Sequence, residues 1–279
     1  MIYLNGEFLP LEEARIPVLD RGFIFGDGVY EVIPVYGRRP FRLTAHLARL
    51  DYSLAGIRLA NPYTHERWGE IIAAISAKQA FDDQAVYLQI TRGVAKRDHS
   101  FPAGVAPTVF LMSNPLPLPS AEQIAHGVAA ITAPDDRWRH CDLKTTSLLG
   151  NVLLRQLAVD QGAAETILFR EGLLTEGSAA NALIVQDGRI IAPKKDWRIL
   201  PGITYGAVYD FANQARLPFE MRDISEAEVR AAAEVWLSSS TKEVLAVTRL
   251  DGAPVGSGTP GPIFRQIHAL FKQARGVAG

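Results

Sequence analysis

The sequence predicts an α+β protein, mixed in its α and β segments and built as two domains. Runs rich in β-branched and aromatic residues alternate with stretches of helical apolar spacing along the whole chain. Prolines on alternate positions in Asn114-Pro115-Leu116-Pro117-Leu118-Pro119 forbid a helix there and favour an extended connector. The 279 residues, 48% apolar and 21% charged, suffice for two modest cores. The expected division is a smaller N-terminal domain over 1–119, with its linker at 114–119, and a larger C-terminal domain over 120–279.

Taken in order, Asn5-Gly6 marks a hairpin turn, and residues 29–36 form a β-rich stretch ended by Gly37, with a loop between. From Thr44 as N-cap, Leu47, Leu50 and Leu54 recur at helical spacing until Gly56 closes the helix. A second helix is expected over about 68–80, then strands over 85–91 and 108–113. Beyond the connector come strands over 128–132, 165–170, 181–186, 189–192 and 235–238. The helices there are expected over about 147–160, 204–215, 225–233 and 262–275. No repeat and no low-complexity tract interrupts this order.

A net charge of −1 gives no electrostatic footing for nucleic acid or an anionic membrane, so the expected ligand is a small molecule. Cys141 is the only cysteine, which rules out an intrachain disulfide and suits a reducing compartment; the cytoplasm is expected. No apolar run nears the roughly 20 residues that span a bilayer, and the N-terminus meets Glu7 too early for a signal peptide. The six histidines lack metal-ligand spacing, and no metal is expected. No GxGxxG follows a strand, and Gly172-Leu173-Leu174-Thr175-Glu176-Gly177-Ser178 has the glycine spacing of a phosphate loop without its lysine.

Lys144 is the residue with most to say. Only seven lysines occur, and most of the others sit in plainly polar settings. Lys144 stands before an amphipathic helix, beside Thr145, Thr146 and Ser147, where an amine can be held still to attack a carbonyl. Leu148, Val152, Leu153, Gln156 and Leu157 give that helix one apolar side, expected to be buried. Arg137, Arg139 and His140 are expected to supply positive charge near the amine. A lone lysine in such a place is more often a solvated surface charge, so the chemistry rests on what accompanies it.

What accompanies it is a series of ordered segments: D-R-G-F-I-F-G-D-G-V-Y-E at 20–31, H-L-A-R-L at 46–50, Q-I-T-R-G at 89–93, L-L-T-E-G-S-A-A-N at 173–181, L-P-G-I-T at 200–204 and S-S-S-T-K-E at 238–243. In this order they resemble the class IV aminotransferases, the fold-type IV pyridoxal phosphate enzymes, over nearly the whole chain. The resemblance implies pyridoxal 5'-phosphate at the interface of two domains, held as a Schiff base by Lys144. It implies that Glu176 pairs with the pyridine nitrogen. It implies phosphate contacts from Arg49, Ile203, Thr204, Ser239 and Ser240, and further cofactor contacts at Ser178, Asn181 and Leu200. Independently of it, Gly202-Ile203-Thr204 opens a helix whose free N–H groups favour an anion.

Within the family, Arg97-Asp98-His99 and Tyr30 resemble the carboxylate trap of members that use D-amino acids, and the segment 135–144 also resembles that subgroup more than its relatives. That resemblance implies transfer of an amino group from D-alanine and other D-amino acids to 2-oxoglutarate by a ping-pong cycle. It also implies a homodimer in which Arg97 and His99 act across the interface. Aminodeoxychorismate lyase and the branched-chain or (R)-amine transaminases are the alternatives within the fold. Ala179 and Ala180 stand where relatives often keep serines, and Asp98 stands between the trap residues.

Overall fold

The structure, a computed structural model, describes residues 1–276 and divides into two compact units. The last three positions of the expected C-terminal domain lie outside the described residues. Among the described residues, one unit comprises Met1–Leu116 with Leu143–Leu148; the other comprises Pro117–Asp142 and residues 149–276.

In the first unit, β1 (Ile2–Leu4), β2 (Glu7–Leu9), β3 (Gly28–Tyr36), β4 (Arg39–Pro40), β5 (Gln84–Thr91) and β6 (Thr108–Pro115) form one sheet in the order β2-β1-β6-β5-β3-β4. Every pairing in it is antiparallel. Asn5 and Gly6 take positive φ at the β1–β2 turn, as an Asn-Gly hairpin requires. The short α1 (Arg21–Phe25) lies where the sequence predicts a loop; Asp20 caps it by accepting from the Gly22 N–H. Helices α2 (Leu43–Gly56) and α3 (His65–Ala77) complete the unit. Leu47, Leu50 and Leu54 of α2 and Trp68, Ile71, Ile72 and Ile75 of α3 pack with Val29, Ile33, Val86 and Leu88 into one core. The α2 N-cap is Arg42, in left-handed conformation and without a side-chain cap bond, rather than Thr44.

In the second unit, α4 (Ala121–His126), β7 (Val128–Pro134), α5 (Leu149–Asp160), β8 (Glu165–Arg170), β9 (Leu173–Gly177), β10 (Asn181–Gln186) and β11 (Arg189–Ala192) come first. They are followed by α6 (Ile203–Gln214), β12 (Phe219–Met221), α7 (Glu226–Ala231), β13 (Glu234–Ser239), β14 (Glu243–Leu250), β15 (Ala253–Pro254) and α8 (Pro262–Gly276). The sheet runs β12-β11-β10-β13-β14-β7-β8-β9, with β15 paired to β14, and is parallel at β11–β12, β14–β7 and β7–β8. Its core gathers Ile167, Leu174, Ala182, Ile184, Val235, Leu237 and Val247.

Two expectations are corrected. The Lys144 segment, assigned from sequence to the C-terminal domain, packs with the N-terminal unit, because its backbone bonds to β3: the Tyr30 N–H donates to the Lys144 carbonyl at 2.9 Å and Val29 bridges to Thr145. Helix α5 is not buried along its apolar side. It buries only Leu154 and Ala158, while Leu149, Val152, Leu153 and Leu157 are exposed, Leu149 at 72%.

Candidate active site

Strand β3 carries the first group of residues. Its alternation puts Val29, Glu31, Ile33 and Val35 on the buried face, so a carboxylate enters the core at Glu31. A buried carboxylate must be paired, and α2 supplies the partners. His46 and Arg49 are three residues apart, hence on one face of the helix. Arg49 donates from Nε to Oε1 and from Nη2 to Oε2, both at 2.8 Å, and His46 Nδ1 bonds Oε2 at 2.8 Å. Burial alone would raise the Glu31 carboxyl; the Arg49 guanidinium and His46 outweigh it and hold Glu31 well below the usual carboxylate range. Burial also depresses His46, so its imidazole is neutral and Nδ1 carries the proton donated to Glu31. His46 Nε2 is buried with no hydrogen-bond partner among the described residues.

The neighbouring residue, Tyr30, meets Lys144: the ammonium nitrogen lies 4.2 Å from the centre of the phenol ring. Lys144 is fixed through its backbone, with the N–H donating to Ser53 Oγ at 3.1 Å and the carbonyl accepting from Tyr30. The following Thr146 N–H donates to the Gly28 carbonyl. Leu143 packs directly on the backbone of Gly56, where a Cβ would lie 2.4 Å from Leu143 Cδ2. Sequence thus predicted two residues that the fold brings together, and the lysine is anchored by strand bonding rather than by a buried helix. Arg97 and His99 lie on an exposed loop and gather around Phe25, the guanidinium carbon 5.3 Å and the imidazole centre 5.4 Å from the ring centre.

The second unit carries the remaining residues. Glu176 lies on β9, a strand rather than a turn, and is buried. Arg137 Nη1 donates to its Oε1 at 2.8 Å; Asn181 Nδ2 and the Leu200 N–H donate to its Oε2 at 3.1 and 3.0 Å. Burial pushes the Glu176 carboxyl up to about 7, against the pull of Arg137. Arg137 is locked in turn by Asp135, at 2.9 Å from both Nε and Nη2, and Asp135 also accepts from Thr175. Arg137 therefore serves two carboxylates here, and Arg139 lies over Trp197.

Helix α6 starts at Ile203 with Gly202 as N-cap and no side-chain cap, so the first-turn amides of Ile203 and Thr204 have no intrahelical acceptor. Gly202 is essential to this start: a Cβ would lie 2.0 Å from Asn181 Oδ1. Across the sheet Asn181 pairs with Ser238, whose buried hydroxyl has no partner among the described residues. Ser239 Oγ accepts from the Lys242 N–H at 3.0 Å, and Ser240 follows in the turn. Ser178 is turned to Glu165, which its hydroxyl bonds, and Glu165 also accepts from Lys242 at 3.1 Å.

Sequence reasoning missed Glu31, His46, Asp135 and Arg137 as parts of these clusters. A signal existed for the first: a charged residue in the buried phase of an apolar strand needs a partner. Arg137 and Glu176 stand 39 positions apart in the chain, and nothing local announces their pairing. Taken unit by unit, the residue types suit a phosphorylated pyridine aldehyde: the first unit carries an amine on a fixed backbone, and the second a buried carboxylate of the kind that faces a ring nitrogen, an uncapped helix start and the buried Ser238 hydroxyl without a partner among the described residues.

Residues 28–250 match the family described as amino-transferase class IV. The chain is 36% identical to a D-alanine aminotransferase of Bacillus licheniformis and 38% identical to one of Staphylococcus aureus (strain MW2). Each match covers 98% of this chain and 96% of the relative. Among solved structures it is similar to the branched-chain amino acid aminotransferase of Escherichia coli, with a TM-score of 0.91 and 25% identity over 98% of this chain and 93% of that one. It is similar also to a T.th. branched-chain amino acid aminotransferase with pyridoxamine 5'-phosphate, with a TM-score of 0.91 and 26% identity over the same shares.

Proposed function

The chain belongs to the class IV aminotransferases and is a transaminase, and on that premise we propose that it moves the amino group of D-alanine and other D-amino acids to 2-oxoglutarate, using pyridoxal 5'-phosphate. The observation that carries this reading is the Lys144 amine held over Tyr30 by paired backbone. The relatives called D-alanine aminotransferase, matched over nearly their full length, support the choice of D-amino acids. The cofactor supplies, when bound, a carbonyl for the substrate amine and a ring that accepts electron density from Cα.

The chain's own residues do the rest. Lys144 Nζ would hold the cofactor through its carbonyl carbon and, when free, would serve as the base that moves the Cα proton. Glu176, already surrounded by three donors, would pair with the cofactor's ring nitrogen and keep a proton in place there. Arg49, the Ile203 and Thr204 amides, Ser239 and Ser240 would bind the phosphate, with Ser178, Asn181 and Leu200 as further cofactor contacts. Tyr30, Arg97 and His99 hold the substrate carboxylate and so fix which face of Cα meets the amine.

The working form is a homodimer in which Arg97 and His99 serve the partner copy; their exposure, and the open apolar stripe on α5, support a second copy as occupant. The single, buried Cys141 supports a cytoplasmic setting, and among the described residues no helix is long and apolar enough to cross a membrane.

The test is the visible spectrum of the purified holoenzyme as D-alanine, L-alanine or L-leucine is added without any keto acid. D-alanine alone should bleach the cofactor band and 2-oxoglutarate should restore it. A response to L-leucine alone would favour the branched-chain reading, which the solved structures make the second choice. Steady pyruvate release from an amino-substituted chorismate without a keto acid would favour the lyase.

A further inference from the structure

The segment 20–27 is prominent in the sequence, yet the proposed function gives it no task. In the structure it underlies the loop that carries Arg97 and His99. The Arg21 N–H donates to the Gly93 carbonyl, Asp20 bridges to Val94, and the Ala95 N–H donates to the Leu19 carbonyl. The Arg21 side chain is buried, and its Nη1 donates to the carbonyls of Asp98, at 2.6 Å, and Ser100, at 3.3 Å. Those two carbonyls flank His99, and the first follows Arg97. Asp98 closes the same turn by accepting from the Ser100 N–H at 2.8 Å.

Four residues along α1, hence on the same face, Phe25 receives the side chains. Arg21 lies 4.9 Å from its ring centre, Arg97 5.3 Å, and the His99 ring 5.4 Å. Arg21 itself is locked by Asp27 at 2.7 Å, and Asp27 is locked by Arg92 at 2.8 and 3.0 Å. Arg92 then covers Phe101, its guanidinium carbon 3.7 Å from the ring centre, where the loop returns.

We propose that Arg21 and Phe25 are positioning residues: Arg21 sets the backbone of 97–100 through its two carbonyls, Phe25 sets the spacing of Arg97 and His99, and together they determine affinity for the substrate α-carboxylate. The inference rests on the reading of Arg97 and His99 as the carboxylate clamp. A clamp of two exposed, rotamer-rich side chains gains from being ordered before it binds, because less entropy is then lost on binding. Phe25 and the fixed backbone supply that order. Asp98, whose carboxylate is engaged by the Ser100 N–H, is a loop residue in this arrangement.

The experiment compares holoenzyme variants Arg21→Met, Phe25→Leu and Arg97→Gln, with kcat and KM for D-alanine and 2-oxoglutarate. Arg97→Gln and Arg21→Met should each raise both KM values roughly tenfold or more, as expected when a charge-assisted contact is lost or misplaced. Phe25→Leu should raise them about threefold, with kcat kept within about threefold in every case. In the Arg97→Gln background, Arg21→Met should add less than about twofold, because residues that act through one another are not additive. If Arg97→Gln raises KM while Arg21→Met and Phe25→Leu change only kcat or act additively with it, the inference falls and the clamp stands. If Arg97→Gln leaves KM unchanged, the clamp reading itself falls. Should Arg21→Met fail to fold, Phe25→Leu decides on the same criteria.

Discussion

At the scale of single residues, the His46–Glu31–Arg49 cluster makes stability depend on pH in a definite direction. His46 is neutral when folded, first because it is buried, while its ordinary value is 6.5. Below about pH 6.5 the unfolded chain takes up a proton that the folded one refuses, so stability present above that pH is lost on acidification. Glu31, kept ionised in the fold, adds to the loss as pH falls below its ordinary 4.5. Thermal unfolding of the holoenzyme from pH 7.5 to 5.5 should show a falling midpoint, and His46→Gln should flatten that slope; an unchanged slope in the variant would remove His46 from the account. Lys144, Tyr30, Glu176 and Arg49 are legible in the sequence because each stands within a spaced run of distinctive residues. The charges around them are not. In the sequence Glu31 is only the end of a motif, and its alternation on β3 becomes meaningful once Arg49 is seen to share its core.

Among elements, the α6 start is where backbone geometry and chemistry meet most tightly. Gly202→Ala would press a methyl group against Asn181, which holds Glu176 and the Leu200 carbonyl. The expected cost is about 1–3 kcal/mol in stability, as for other overpacked sites, together with weaker binding of pyridoxal phosphate. Calorimetry and a cofactor titration check both, and a variant with native affinity would show that Asn181 can yield freely. Strands β8, β10 and β11 are legible to the residue, because β-branched runs sit between turn pairs such as Asp187-Gly188, both at positive φ. Strand β9 is not: its five residues include Thr175, Glu176 and Gly177, and the polar pair reads as a turn until Asp135 and Arg137 are seen to satisfy it. For α5, helical spacing correctly identifies an apolar face, but spacing cannot say what covers it.

At the scale of the whole molecule, the proposed dimer gives that open face an occupant. Leu149, Val152, Leu153 and Leu157 follow helical spacing on one side of α5, a stripe that suits a second copy of the chain. Leu149→Lys with Leu153→Glu should convert the dimer to monomer in sedimentation velocity and lower transamination by at least roughly tenfold, since each copy would lose the partner's clamp. A variant that stays dimeric and active would place the interface elsewhere. The first unit ends at Leu116, within the proline segment singled out in the sequence. The second crossing, at 143–148, has no such local mark; it is written in hydrogen bonds to β3, more than 100 residues earlier.

Synthesis on the ribosome meets that second crossing as a delay. The sheet and helices of the first unit are complete in sequence by residue 116, but the strand-like segment that brings the amine is made 27 residues later. At about 5–20 residues per second, a nascent first unit waits on the order of seconds with the edge beside β3 unfilled. Neither unit can be cut out as one continuous fragment, and a chain halted before Lys144 lacks the proposed nucleophile, so that amine is made only after the strand that anchors it.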